Sequence, residues 1–418
     1  MKNNFLSSFP WHDVLRKNLA GREIPEFREA NGHIHTPYSF SAFDTLETVF
    51  RMAREEKIAA LGINDFFVTD GFDAFHDGCI RNNIFPLFNI EFIGLLKEEQ
   101  QKGIRINDPN NPGRIYFSGK GLDYPFSLSR PLKRKMEKVI HESQIQVKAM
   151  INRLNELIRP VNPDLNLSYD EIKKRFAMNL VRERHLAKAV RLLAIENYEK
   201  SDDQIIFIES LYNGKQSKAV ISDQTAMENE IRSNLLKAGG SAFVPENENS
   251  FPALKKLIRI INKAGGIPCY PVLLDDPSGK YTEFEADSDK LFKSLTSIGI
   301  GCIELIPGRN EFSILKSFCE YFSKRGFVII FGTEHNTPEL APLTVTARDK
   351  KPLDDSLKKI AWEGVCVVAA HQYLRAHGRQ GYVLDDGTLS QSQKNDLTEL
   401  GNYVIEYFLN KNQYEPGN

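Results

Sequence analysis

The chain has too few cysteines to be held together by disulfides. Cys79, Cys269, Cys302, Cys319 and Cys366 are scattered and odd in number, and none forms a C-x-x-C pair. They read as reduced core thiols, not as a disulfide framework or a zinc cage. An excess of charge of either sign is also missing. The 54 basic and 55 acidic residues leave a formal net charge of -1, which argues against a dominating basic face for nucleic acid but leaves room for a local phosphate pocket. No apolar run is long enough to span a bilayer. The start, Met1 to Phe5, has no apolar segment of the kind a secretory leader needs, so a cytoplasmic location is expected. What is present is an ordinary globular composition, 41% hydrophobic and 26% charged over 418 residues, enough for one large core and an extra subdomain.

Local patterns alternate between strand and helix in the first hundred residues. Asn31 to His35 runs into a polar loop, and Asp44-Thr45-Leu46-Glu47 reads as a capping box before Leu46, Val49, Phe50 and Ala53 at helical spacing. Ala59 to Ile63 is a short buried run ending in Asn64-Asp65, and Ile84 to Ile90 reads as a third strand ending in Glu91. The stretch Gly103 to Gly121, rich in Gly, Asn and Pro, is expected to be an irregular excursion. Pro131 to Asn197 is almost wholly helical in pattern, with a second capping box at Ser168, and a polar linker follows to about Ser250. The rhythm then resumes: a helix after Pro252, a strand at Ile267 to Tyr270, a helix at Ser288 to Ile298, a strand at Cys302 to Ile306, a helix from Phe312 and a strand at Val328 to Phe331. Repeated units of this kind favour a parallel sheet or barrel. Asp354 to His377 and Asn395 to Asn410 close the chain as helices. His371 and His377 lie six residues apart, on different faces of their helix, so a shared metal is not expected.

Chemistry gathers where expected strands end. His33 and His35 follow the first, Asp65 the second, Glu91 the third, and Glu334-His335 the last. In α/β barrels these ends converge on the active site. Residues i and i+2 of an extended segment point the same way, so both imidazoles of H-x-H can reach one ion.

The order of these clusters resembles the PHP (polymerase and histidinol phosphatase) superfamily. His33-Ile34-His35-Thr36-Pro37-Tyr38-Ser39 is similar to its first motif, and Gly62 to Gly71 to its second. Asn89-Ile90-Glu91 resembles the segment whose glutamate bridges metals. Gly265 to Pro271 and Gly332-Thr333-Glu334-His335-Asn336 resemble the last two motifs. Arg182-Glu183-Arg184-His185-Leu186-Ala187 is similar to a stretch on a helical lid of PHP phosphoesterases that act on nucleotide phosphates. The resemblance implies a distorted (β/α)7-type barrel with an inserted helical subdomain. It divides the chain into an N-terminal extension over 1–30, barrel over 31–100 and 245–345, a mainly helical insertion over 101–244, and a helical extension over 346–418.

The pattern departs from the family at Phe66, Phe67 and Tyr270, where a histidine, an aspartate and a histidine are usual. Glu334 stands for an aspartate, Asn336 for a second histidine, and Ser41, with Asp44 further on, for a third ligand of the first motif. The resemblance therefore implies a divalent ion (Zn, Mn or Fe) in fewer than three copies, held by His33, His35, Glu91 and Glu334. Asp65 and His335 are further candidates, with catalytic roles. Arg184 and His185 would grip a phosphate, since Arg offers its oxygens a bidentate fork. Tyr270 either donates a proton or fills vacated volume with its ring. Nothing places His76 or His141 near the site. The expected activity is metal-dependent hydrolysis of a small phosphomonoester or nucleotide phosphate, with that ester as partner and no membrane. Ligand binding without turnover, or a one-metal lyase or isomerase, uses the same residues.

Overall fold

The computed structural model describes residues 4–411 apart from 246, 248, 249, 277, 391 and 392. Seven strands form one sheet in sequence order: β1 (Ala30–Ile34), β2 (Ala60–Phe66), β3 (Phe85–Leu95), β4 (Arg114–Lys120), β5 (Ile267–Pro271), β6 (Cys302–Leu305) and β7 (Val328–Phe331). All neighbours are parallel except β4, which runs antiparallel to both β3 and β5. The sheet curls until its edges meet: the His35 amide donates to the Glu334 carbonyl at 2.7 Å, and the Glu334 amide to the His33 carbonyl at 2.9 Å. This is the expected α/β barrel of seven strands, nearly closed, with helices around it.

β4 lies inside the stretch expected to be irregular. Its flanks carry the Gly, Asn and Pro that masked it, but its own pattern has the period of a strand. Ile115 and Phe117 are buried with the barrel's helices, while Tyr116, Ser118 and Lys120 share the opposite face. That face lines the barrel interior, where Ser118 and Lys120 both reach Glu304.

Helices follow β1, β2, β5 and β6 at Leu46–Glu55, Phe72–Asn82, Ser288–Ser297 and Phe312–Ser323. The first is capped by Thr45, whose hydroxyl accepts from the Thr48 amide at 3.3 Å, one residue beyond the Asp44 expected. Between β4 and β5 the chain is helical at Arg130–Ile158, Tyr169–Phe176, Glu183–Asn197, Ser201–Leu211 and Gln224–Ile231. The last two occupy what reads in sequence as a polar linker. They form because Phe207, Ile208, Leu211, Met227 and Ile231 bury in a core of their own with Leu154, Leu186 and Val190. Each such side chain contributes about 1.5–3 kcal/mol when removed from water.

The helix Asp355–Ala376 lies against the outside of the sheet and is covered in turn by Lys394–Leu409. Two glycines permit this layering. A Cβ on Gly364 would stand 1.9 Å from the Ile329 carbonyl oxygen, and one on Gly401 1.8 Å from that of Cys366. His371 donates from Nε2 to the Gly265 carbonyl at 2.6 Å, while His377 meets the carbonyls of Tyr373 and Phe9, so the two serve separate contacts. Among the described residues no helix is long and apolar enough to cross a membrane.

Candidate metal centre and cavity

β1 delivers His33 and the residue after its end, His35, to the barrel interior, and β3 brings Glu91 alongside through its register with Phe66 on β2. All three are buried, and their donor atoms lie within 4.8 Å of one another. His33 Nε2 is 3.3 Å from His35 Nε2, His35 Nε2 is 3.2 Å from Glu91 Oε2, and His33 Nε2 is 3.8 Å from that oxygen. A triangle with these edges has a centre about 2.0 Å from every corner, the length of a zinc–imidazole bond. Glu91 Oε2 is buried without a hydrogen-bond partner among the described residues, an arrangement that costs stability unless something else takes the lone pair. The group could hold a divalent ion.

The protonation of the group suits that use. Burial, partly offset by Glu304, pushes the His33 imidazole below its ordinary value, and burial with the Arg182 charge pushes His35 well below. Burial raises the Glu91 carboxyl to about 7 despite the pull of His33. Glu304 behaves differently: burial would raise it, but Lys120 and His33 hold it well below the usual carboxylate range. Being ionised, Glu304 has no proton to give. His33 Nδ1 therefore donates to its Oε2 at 2.9 Å, leaving the lone pair on Nε2. Asn64 Oδ1 accepts from Lys120 Nζ at 3.0 Å, and its amide nitrogen lies 3.0 and 3.3 Å from the two ring nitrogens of His33, over the ring face and off the Nε2 lone pair. A carboxylate that orients a ligating histidine from behind is a usual support of metal sites.

A cavity of about 290 Å³ opens above this group. His33, Glu91 and Glu304 are at its floor, and Phe40, Phe66, Tyr116, Pro271 and Val272 contribute wall. The helical segment overhangs it with Arg182, Arg184 and Arg232. Arg232 is paired with Glu183, and Arg309 on the barrel side with Glu334. Arg182 instead lies over the Phe66 ring, 4.5 Å from its centroid, a cation–π contact. Phe66 in turn stacks on His35 at 4.7 Å. Arg184 bonds Asn229 Oδ1 at 3.2 Å, and its partial burial, with Arg232 nearby, lowers it to about 9.

The other candidates from the sequence are placed as follows. Glu334 lines the cavity but faces Arg309, outside the His–His–Glu group; it and His335 have φ of 64° and 58°, which swing the chain aside. His335 is fixed between Thr333 Oγ1 and the Ala341 carbonyl, both at 2.8 Å, and stacks on Phe43. Asp65 ties down the loop after β1, accepting from the Thr36 amide at 2.8 Å and Ser39 Oγ at 2.6 Å. Burial raises it to about 6. Tyr270 is wholly buried and donates to Glu285 Oε1 at 2.7 Å. His185 does not line the cavity: its Nδ1 accepts from the Arg182 amide at 2.9 Å and caps the helix, and burial drops it to about 3. Ser41 donates to the His35 carbonyl at 2.8 Å, and His76 pairs with Asp77. Sequence reasoning passed over Glu304, Lys120, Asn64, Ser118 and Arg182. A glutamate inside the otherwise apolar run Cys302 to Leu305 was a signal, as was the alternation of Tyr116, Ser118 and Lys120.

No protein-family model matches the chain, and no curated protein matches it. Among solved structures it superposes on a Bifidobacterium adolescentis protein assigned as a metal-dependent phosphoesterase, with a TM-score of 0.51 and 15% identity, over 81% of this chain and 96% of that one. At that identity the likeness shows the fold. A weaker superposition, on an amidohydrolase from Chromobacterium violaceum with bound sulfate and no metal, has a TM-score of 0.45 and 14% identity over 77% and 93% of the two chains; it carries no argument. The chain is thus a nearly closed seven-stranded α/β barrel like that of the Bifidobacterium protein, with a buried His–His–Glu group under an arginine-lined cavity.

Proposed function

We propose that this chain is a metal-dependent phosphoesterase that hydrolyses a small phosphomonoester or nucleotide phosphate with one divalent ion. The observation that carries the reading is the buried triangle of His33, His35 and Glu91, two of whose corners, His33 and Glu91, line the cavity, with no hydrogen bond to Glu91 Oε2 among the described residues. A bound ion there would polarise a phosphoryl oxygen and lower the pKa of a water. The chain's own groups do the rest. Arg182 and Arg184 overhang the floor and supply donors and positive charge to phosphate oxygens. Tyr116, raised to about 12 by burial and Asp108, stays a neutral hydroxyl donor on the cavity wall. Phe66 and Phe40 give the organic part of the ester an apolar surface and keep water from one side.

The test is release of inorganic phosphate from a panel of sugar phosphates and nucleotides by protein loaded with Mn or Zn. Release that depends on the ion and disappears in His35→Ala is the expected result. Folded wild-type protein that takes up no ion would end the reading. One observation favours ligand binding without turnover: Asp65, Tyr270 and His335, the groups suited to proton transfer, are all bonded elsewhere. Ion retained and phosphate esters bound, with no phosphate released from any, would select that alternative.

A further inference from the structure

The floor of the cavity carries a cation of its own. Lys120 ends β4 and is only 1% exposed. Its Nζ pairs with Glu304 and donates to Asn64 Oδ1 at 3.0 Å. Both partners then reach His33, Glu304 at Nδ1 and Asn64 against the face of the ring. A buried ammonium is costly unless paired and hydrogen-bonded, so its position is specified by these contacts and by the alternation that turns Ser118 to the same carboxylate.

Charge counting gives Lys120 a role. The buried floor holds two carboxylates, Glu91 and Glu304, and this one ammonium. A divalent ion among His33, His35 and Glu91 brings the sum to a single positive charge, which one phosphoryl oxygen balances. A second divalent ion with Lys120 in place would add two more positive charges to a space of low dielectric, where like charges repel strongly. Glu304, the buried carboxylate behind His33, is already bound to Lys120, and Glu334 on the cavity lining is bound to Arg309.

We propose that Lys120 is the second cation of this centre, built into the chain. Its ammonium takes the place beside Glu304 that a second divalent ion would need, and so limits the centre to one ion. Lys120 is a positioning residue, acting on the ion site through Glu304 and Asn64. The inference rests on the ion-binding reading given under Proposed function.

Calorimetric titration of the full chain with Mn tests it in the wild type, Lys120→Ala and Lys120→Met. The wild type is expected to take one equivalent. Lys120→Ala, which opens space and frees Glu304, is expected to take two. Lys120→Met keeps the volume and removes the repulsion, so its first ion should bind about tenfold tighter; a merely structural ion pair would instead weaken binding when broken. Two equivalents in the wild type, one in folded Lys120→Ala, or weaker binding in Lys120→Met each overturn the inference while leaving the ion site standing. No uptake by the wild type removes the ion-binding reading and the inference with it. Should Lys120→Ala fail to fold, the wild-type stoichiometry and the Lys120→Met affinity still decide.

Discussion

The two halves of the barrel treat their buried polar groups differently. On β1 to β3, His33, His35 and Glu91 point at a common centre, and Glu91 Oε2 has no hydrogen bond among the described residues. On β5 to β7 and the loops behind them, the groups that sequence or position suggests for the site are already bound: Glu304 to Lys120, Glu334 to Arg309, Tyr270 to Glu285, and His335 to Thr333 and Ala341. One half is left open to a ligand, and the other is closed by the chain's own cations and hydroxyls. One barrel can thus leave a buried donor set open at one side while giving buried polar groups at the other an internal partner.

The contrast should break most visibly at His35. His35→Ala removes a corner of the triangle and is expected to abolish stoichiometric metal and phosphate release together, as read by elemental analysis and a phosphate assay. A variant that keeps a full equivalent would place the ion elsewhere.

Glu285 tests the closed half by pH. It is the buried carboxyl there with a hydroxyl partner and no cation, and burial raises it to about 7 although Tyr270 and two backbone amides bond to it. The folded state therefore keeps this proton up to about pH 7, while the unfolded chain releases it near its ordinary value of 4.5. Its contribution is full below that value and is lost as pH rises to about 7, up to ~3 kcal/mol. Denaturation of wild type and Glu285→Gln at pH 5 and 8 should show the wild type losing about that much more. Parallel pH profiles would contradict the assignment.

Glu304 sharpens the comparison because it belongs to the closed half yet supports the open one. Glu304→Gln keeps an acceptor for His33 but loses the charge, and it should weaken ion binding about 10- to 100-fold. Unchanged affinity by calorimetry would mean that His33 needs no support from behind. The smallest effect is expected at Glu334. It pairs with Arg309 and lies outside the His–His–Glu group, so Glu334→Ala should bind the ion within about twofold of wild type, far less than the ~10- to 100-fold loss at Glu304. A loss of tenfold or more would return Glu334 to the ligand set that the sequence implied.

Much of the open half was legible in sequence. H-x-H at a strand end, and a glutamate closing a later strand, carry their geometry with them, because strand period and register leave little freedom. Six of the seven strands followed from the rhythm of strands and helices, and the seven-fold barrel was what the family resemblance implied. The closed half was harder to read. Lys120 and Ser118 lay on a strand hidden by flanking Gly, Asn and Pro, and only the antiparallel pairing of β4 brings them to Glu304. Glu334 and His335 matched a motif by spacing, but left-handed backbone at both residues redirects their side chains. His185 carried a phosphate expectation that helix capping takes up instead. These outcomes depend on which partner wins a buried group, and spacing along the chain does not encode that competition.

The proposed function requires one divalent ion among His33, His35 and Glu91 and no second ion in the barrel. Anomalous diffraction from crystals of the full chain grown with Mn or Zn tests it most directly. A single peak is expected between His33 Nε2, His35 Nε2 and Glu91 Oε2, at about 2.0–2.2 Å from each. A peak beside Glu304 or Glu334, more than one peak, or none at all would contradict it.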